Sequence, residues 1–123
     1  MYQNLAFAVV FAFISTLSVS AQKRVLDPKQ LLQDVQVLST DSMGGRLSGS
    51  AGSKMAQDYL LNRFSEIGLQ HYNNSYRHTF RLESRGVTVE EAVNLIGFIP
   101  GKTDKAIIIT AHYDHVGIRK GEV

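Results

Sequence analysis

The chain has 123 residues, 44% of them hydrophobic and 20% charged, which bounds it to one ordinary globular domain or a piece of one. Its formal net charge of +2 arises from 13 basic residues scattered among 11 acidic ones, so no basic face is implied and nucleic acid is not an expected partner. The absence of cysteine excludes disulfides, thiolate metal sites, cysteine nucleophiles and lipoprotein anchoring.

The segment NLAFAVVFAFISTLSVSA, residues 4–21, carries no charge, and its apolar run from Leu5 to Leu17 is followed by small residues ending Val19-Ser20-Ala21. That is the pattern of a secretory signal peptide cleaved after Ala21. The expected organisation is a signal peptide over 1–21 and a mature part over 22–123, in a secreted or periplasmic protein. One feature departs from the pattern, because the leading MYQN has neither Lys nor Arg. The run also approaches membrane-spanning length, so a retained anchor is the alternative. Ser15, Thr16, Ser18 and Ser20 thin the run at its end and favour cleavage, after which no stable membrane partner is expected.

A helical stretch is predicted at the start of the mature part. Asp27 caps it, Pro28 suits the first turn, and Leu31, Leu32, Val35 and Leu38 form an apolar stripe expected to pack. DSMGGRLSGSAGSK, residues 41–54, follows as a Gly/Ser-rich loop. It is not a phosphate cradle, which needs Gly-Lys followed by Ser or Thr after a buried strand, whereas here the order is Ser53-Lys54-Met55 after a helix and turn. A second helix over 51–67 places Met55, Ala56, Tyr59, Leu60, Phe64 and Ile67 on one buried stripe, and Gly68 stops it.

Residues 76–82 alternate instead, with Tyr76, His78, Phe80 and Leu82 on one face of a half-buried strand. On that face His78 is read as a structural histidine with a hydrogen-bond partner, in preference to a metal ligand. Asn73-Asn74-Ser75 matches a glycosylation sequon, relevant only in a eukaryotic secretory route. Two short apolar runs, NLIGFI (94–99) and AIIITA (106–111), are joined by PGKTDK and read as an antiparallel pair. The second run is apolar on both faces, as in an interior strand of an α/β sheet. Two helices leave too little chain to cover it, so the sequence is expected to be the front of a longer protein.

The run ends in AHYDHVG, residues 111–117. Side chains two apart in an extended chain point the same way, so His112 and Asp114 are expected to converge. A metal-binding imidazole commonly has its second ring nitrogen hydrogen-bonded to a carboxylate or carbonyl, and His-x-Asp supplies a ligand and such a partner. By itself the pattern is short, and a solvated turn that binds nothing stays open beside the metal reading.

Taken in order, GGRLSGSAG, a helix ending FSEIGL, NLIGFIPGK and AIIITAHYDHVG resemble the amino-terminal portion of the M28 family of zinc aminopeptidases, over roughly residues 31–117. AHYDH after an apolar strand is the most specific part. The resemblance implies an α/β fold, a mixed sheet with flanking helices of the zinc-exopeptidase kind, incomplete in this chain. It implies that His112 binds one of two zinc ions, that Asp114 is the partner orienting it, and that the substrate is a peptide. His115 stands where members vary and is an accessory pocket or turn residue, and Arg46 of the Gly-Arg element is read as structural. The family's remaining ligands and its catalytic glutamate lie beyond the AHYDH motif, so the expectation is an exported aminopeptidase whose amino-terminal fragment is inactive alone. Two alternatives stay open: a glutaminyl cyclase of the same fold, and a non-catalytic exported module in which HYDH coordinates nothing. Substrate preference and oligomeric state are not legible.

Overall fold

The computed structural model describes residues 26–84 and 86–121, and the predicted signal segment lies outside them. Helix α1 spans Pro28–Leu38, with Asp27 Oδ1 accepting the Lys29 amide at 2.9 Å and Pro28 opening the first turn. The start is the predicted one, because cap and proline act locally. The packing face differs from the expected one. Leu31, Leu32 and Val35 are 51%, 58% and 56% exposed, while Gln30, Asp34, Val37 and Leu38 are half-buried. The helix is turned by a polar anchor. Asp34 accepts hydrogen bonds from Gln30 (3.0 Å) and Tyr59 (2.6 Å), and Arg63 Nε lies 2.9 Å from it.

A 3-10 turn over Asp41–Arg46 leads into helix α2, Ala51–Glu66. Ser50 caps α2 by accepting the Ser53 amide at 3.1 Å. Its buried residues are Gly52, Ser53, Ala56 and Gln57, with Tyr59, Leu60 and Phe64 half-buried beside them. The predicted stripe therefore holds in its middle and fails at its ends, where Met55 and Ile67 are exposed. Gly52 lies against the 3-10 turn so closely that a Cβ there would overlap the Met43 carbonyl. The core is small and sits at this junction and on the sheet, in Met43, Ala56 and Ala92.

Four strands follow, β1 (Gln70–His71), β2 (Arg77–Ser84), β3 (Val87–Leu95) and β4 (Gly97–Phe98). They form two antiparallel pairs, β1 with β4 and β2 with β3. The architecture is thus a mixture of helices and small antiparallel sheets. Strand β2 is the predicted alternating strand, and His78 Nε2 lies 3.1 Å from the Ser75 carbonyl, the partner expected of a structural histidine. Asn73 and Asn74 occupy an exposed turn at positive φ.

One strand was not foreseen, and one expectation needs correction. The partner of β2 is β3, whose sequence VTVEEAVNL hides its alternation behind Glu90-Glu91. Phe80 pairs with Ala92 and Leu82 with Val89, so both glutamates oppose Arg81 across a bulge that absorbs the extra residue. Arg81 Nε lies 3.3 Å from Glu90, which gives the bulge its charge partner. The correction is that residues 94–99 and 106–111 do not pair. Asn94 and Leu95 are taken by β2, and Gly97 and Phe98 by β1. Residues 106–111 belong to no strand, and Ile107, Ile108 and Ile109 are 94%, 83% and 91% exposed. A mixed sheet is therefore absent among the described residues: the run that would have been its interior strand has no neighbour to complete its hydrogen bonds or cover its side chains.

A candidate metal-ligand tip held by the Gly-Arg loop

Beyond this bare run the chain becomes ordered by polar contacts. The 3-10 turn ends with Gly45 and Arg46 at φ 63° and 49°, a left-handed pair that turns both carbonyls toward residues 115–117. Gly45 O accepts the Gly117 amide and Arg46 O accepts the His115 amide, each at 3.1 Å. Only glycine fits at 45, since a Cβ there would stand 2.7 Å from Gly117 O in a conformation that side chains already disfavour. The Arg46 guanidinium adds two further bonds: Nε donates to Tyr113 O at 2.8 Å, and a terminal nitrogen donates to Leu38 O. The Arg46 side chain is thus bound within the fold, and one of its two partners is the HYDH segment itself.

Tyr113 anchors the other side of the tip. Its hydroxyl donates to Val93 O at 2.6 Å, which ties residues 112–117 to β3. Burial pushes the Tyr113 phenol up from its ordinary value of 10.0, against smaller opposing contributions from the neighbouring Ser53 and Gln57 side chains. With Tyr113 turned inward, its neighbours on either side turn outward, as alternation along an extended chain requires.

His112 and Asp114 converge. His112 Nδ1 lies 2.9 Å from the Asp114 main-chain oxygen and 3.6 Å from Asp114 Oδ1. A carbonyl oxygen only accepts, so this contact needs a proton on Nδ1, which in the neutral ring leaves the lone pair on Nε2. The His112 side chain is 82% exposed, and Nε2 has no hydrogen-bond partner among the described residues. Asp114 is itself held, its Oδ2 accepting from Ser48 Oγ at 2.9 Å. His115 is exposed and joins the arrangement through its amide alone.

These residues fit one position of a metal shell: an imidazole with its distal nitrogen outward and its proximal nitrogen satisfied by a carbonyl beside a carboxylate. Among the described residues no three His, Asp or Glu side chains cluster as a ligand set. A groove of about 910 Å³, open to solvent and lined by Ser48, Lys54, Gln57, Arg77, Thr88 and Glu91, meets the tip at Ser48. Sequence reasoning missed Ser48 and the carbonyl contacts of the Gly-Arg loop. No local signal marks a serine whose partner lies 66 positions along the chain. No family model, curated protein or solved structure matches the chain.

Proposed function

We propose that this chain is the amino-terminal part of an exported zinc-dependent aminopeptidase with an M28-type, zinc-exopeptidase-like domain, in which His112 is a zinc ligand and Asp114 its orienting partner. The observation that carries the reading is the contact between His112 Nδ1 and the Asp114 main-chain oxygen, which leaves an exposed Nε2 as a preset donor. The AHYDHVG motif and the Gly-Arg loop that grips it point the same way.

In such a site a bound zinc pair supplies polarisation of the scissile carbonyl and a water acidified to near neutrality. What this chain contributes is narrower. His112 offers one neutral nitrogen, Asp114 keeps its tautomer and ring orientation, and Tyr113 fastens the segment to β3. One donor does not hold a cocatalytic pair, and the 123-residue chain is proposed to be inactive alone. The substrate is a peptide, from which the complete enzyme releases amino-terminal residues into the periplasm or the medium.

The test is made on the product of the complete reading frame. Zinc content and release of amino acid from an aminoacyl p-nitroanilide are both expected, and both are expected to fall in His112→Ala. A pyroglutamyl peptide in place of a released amino acid assigns the cyclase instead. Neither zinc nor turnover leaves the non-catalytic module and ends the peptidase reading.

A further inference from the structure

We infer that Arg46 and Ser48 are positioning residues that hold His112 in its Nδ1–H tautomer with Nε2 turned outward; the inference rests on the peptidase reading only in naming zinc as what Nε2 takes. The argument concerns the two peptide planes on either side of Asp114. Arg46 Nε fixes the first by donating to Tyr113 O at 2.8 Å. Arg46 O fixes the second by accepting the His115 amide at 3.1 Å. The carbonyl of that second plane is Asp114 O, the acceptor 2.9 Å from His112 Nδ1. A planar, trans peptide pinned through its N–H keeps its C=O aimed the opposite way, so Arg46 aims the acceptor that chooses the tautomer.

Ser48 fixes the remaining freedom. Its hydroxyl holds Asp114 Oδ2 at 2.9 Å, which keeps Oδ1 3.6 Å from the same ring nitrogen. Nδ1–H therefore meets the Asp114 carbonyl as acceptor, with a carboxylate beside it. The other tautomer would set the Nδ1 lone pair against both oxygens.

Two features separate this arrangement from ordinary loop packing. Arg46 sits at φ 49°, a conformation uncommon for a residue with a side chain, and both its backbone and its guanidinium are spent on this segment and on Leu38 O. A planar fork reaches Tyr113 O and Leu38 O together, whereas a lysine ammonium reaches one of them at most.

The experiment uses the complete reading-frame product, stripped of metal and carrying 15N-labelled histidine, at about pH 8.5, where an ordinary imidazole is neutral. The nitrogen shifts of His112 are expected to show Nδ1–H as the dominant tautomer. Ser48→Ala and Arg46→Lys are expected to give mixed tautomers and, in competition with a zinc chelator, zinc affinity weakened about tenfold. Ser48→Thr, which keeps the hydroxyl, is expected to restore both readings. A purely structural role would lower the thermal midpoint and leave the tautomer of the folded fraction unchanged, which overturns the inference. So does a dominant Nε2–H tautomer in the unsubstituted protein, a reading that stands even where a variant fails to fold. His112→Ala keeps the two claims apart. If it takes up zinc as the unsubstituted protein does, the peptidase reading falls and the tautomer result is judged alone. If it loses zinc while Ser48→Ala and Arg46→Lys behave as unsubstituted, the positioning inference falls and the peptidase reading stands.

Discussion

Residues 106–111 and 112–117 are consecutive, yet their fates are opposite. The first segment is the most β-favouring run in the described chain and belongs to no strand, with its three isoleucines almost fully exposed. The second is polar, Gly-containing and short, yet it is tied down by the Gly45 and Arg46 carbonyls, by the Arg46 guanidinium, by Ser48 and by Val93 O. Apolar residues order a strand only when something covers them and completes their backbone hydrogen bonds, whereas a few directional bonds to a preformed loop order a tip without a hydrophobic core. The tip at residues 112–117 is held independently of the apolar run that leads to it.

The sharpest way to break the contrast is at the loop. Gly45→Ala places a methyl 2.7 Å from Gly117 O at φ 63°, so overpacking and left-handed strain add. A loss of about 3 kcal/mol or more is expected from urea unfolding, with His115 and Gly117 amides losing their exchange protection. A loss below about 1 kcal/mol would mean that the loop does not grip the tip as described. Next in size is Tyr113→Phe, which removes the 2.6 Å bond to Val93 O and leaves that carbonyl without the hydroxyl. About 1 kcal/mol is expected in the same assay. An unchanged midpoint would shift the whole anchoring role to Arg46.

A smaller effect separates the helical half from the tip. Partial burial pushes the Asp34 carboxyl up, but the hydrogen bonds from Tyr59 and Gln30 and the charge of Arg63 outweigh it and leave it below its ordinary 3.8. With the folded value depressed, its contribution is fully present above about pH 3.8 and is lost as pH falls through the folded value. Since the pair reaches solvent, the effect is of the order of a surface ion pair, about 0.5 kcal/mol. Asp34→Asn is expected to flatten the acid limb of a stability–pH profile and to speed amide exchange in α1. Exchange at His115 and Gly117 is expected to stay the same, because no contact of Asp34 reaches them. Faster exchange in both places would join two regions that are separate in the fold.

What the sequence made legible follows the same division between local and long-range physics. Asp27 and Pro28 marked the start of α1, Gly68 marked the end of α2, and the alternation of Tyr76 to Leu82 found β2, each from forces acting within a few residues. The convergence of His112 and Asp114 was readable too, because it follows from the two-residue repeat of an extended chain. Contacts with distant partners were not. The face of α1 was misread because Asp34, a charge, outbids three leucine and valine side chains once Tyr59 and Arg63 are opposite it. Strand β3 was passed over because the bulge at Glu90-Glu91 breaks the alternation that would have announced it. The role of Ser48 was invisible for a related reason, since nothing about a loop serine tells which carboxylate will stand beside it.

The smallest expected effect is the most informative about the bare run. Ile108 is 83% exposed, so Ile108→Thr in the 123-residue chain is expected to change stability by no more than about 0.5 kcal/mol, with β propensity nearly conserved. In the product of the complete reading frame the proposed exopeptidase sheet would cover this segment on both faces, and the same substitution then buries a hydroxyl where a methylene had packed. A cost of about 2 kcal/mol or more is expected there. The pair of measurements thus asks whether residues 106–111 become an interior strand once further chain is present, and it does so without reference to zinc or turnover. Equal and negligible costs in both proteins would leave the run uncovered in each, and the sheet part of the proposed architecture would have to be abandoned while the grip of Arg46 and Ser48 on residues 113–115 stayed intact.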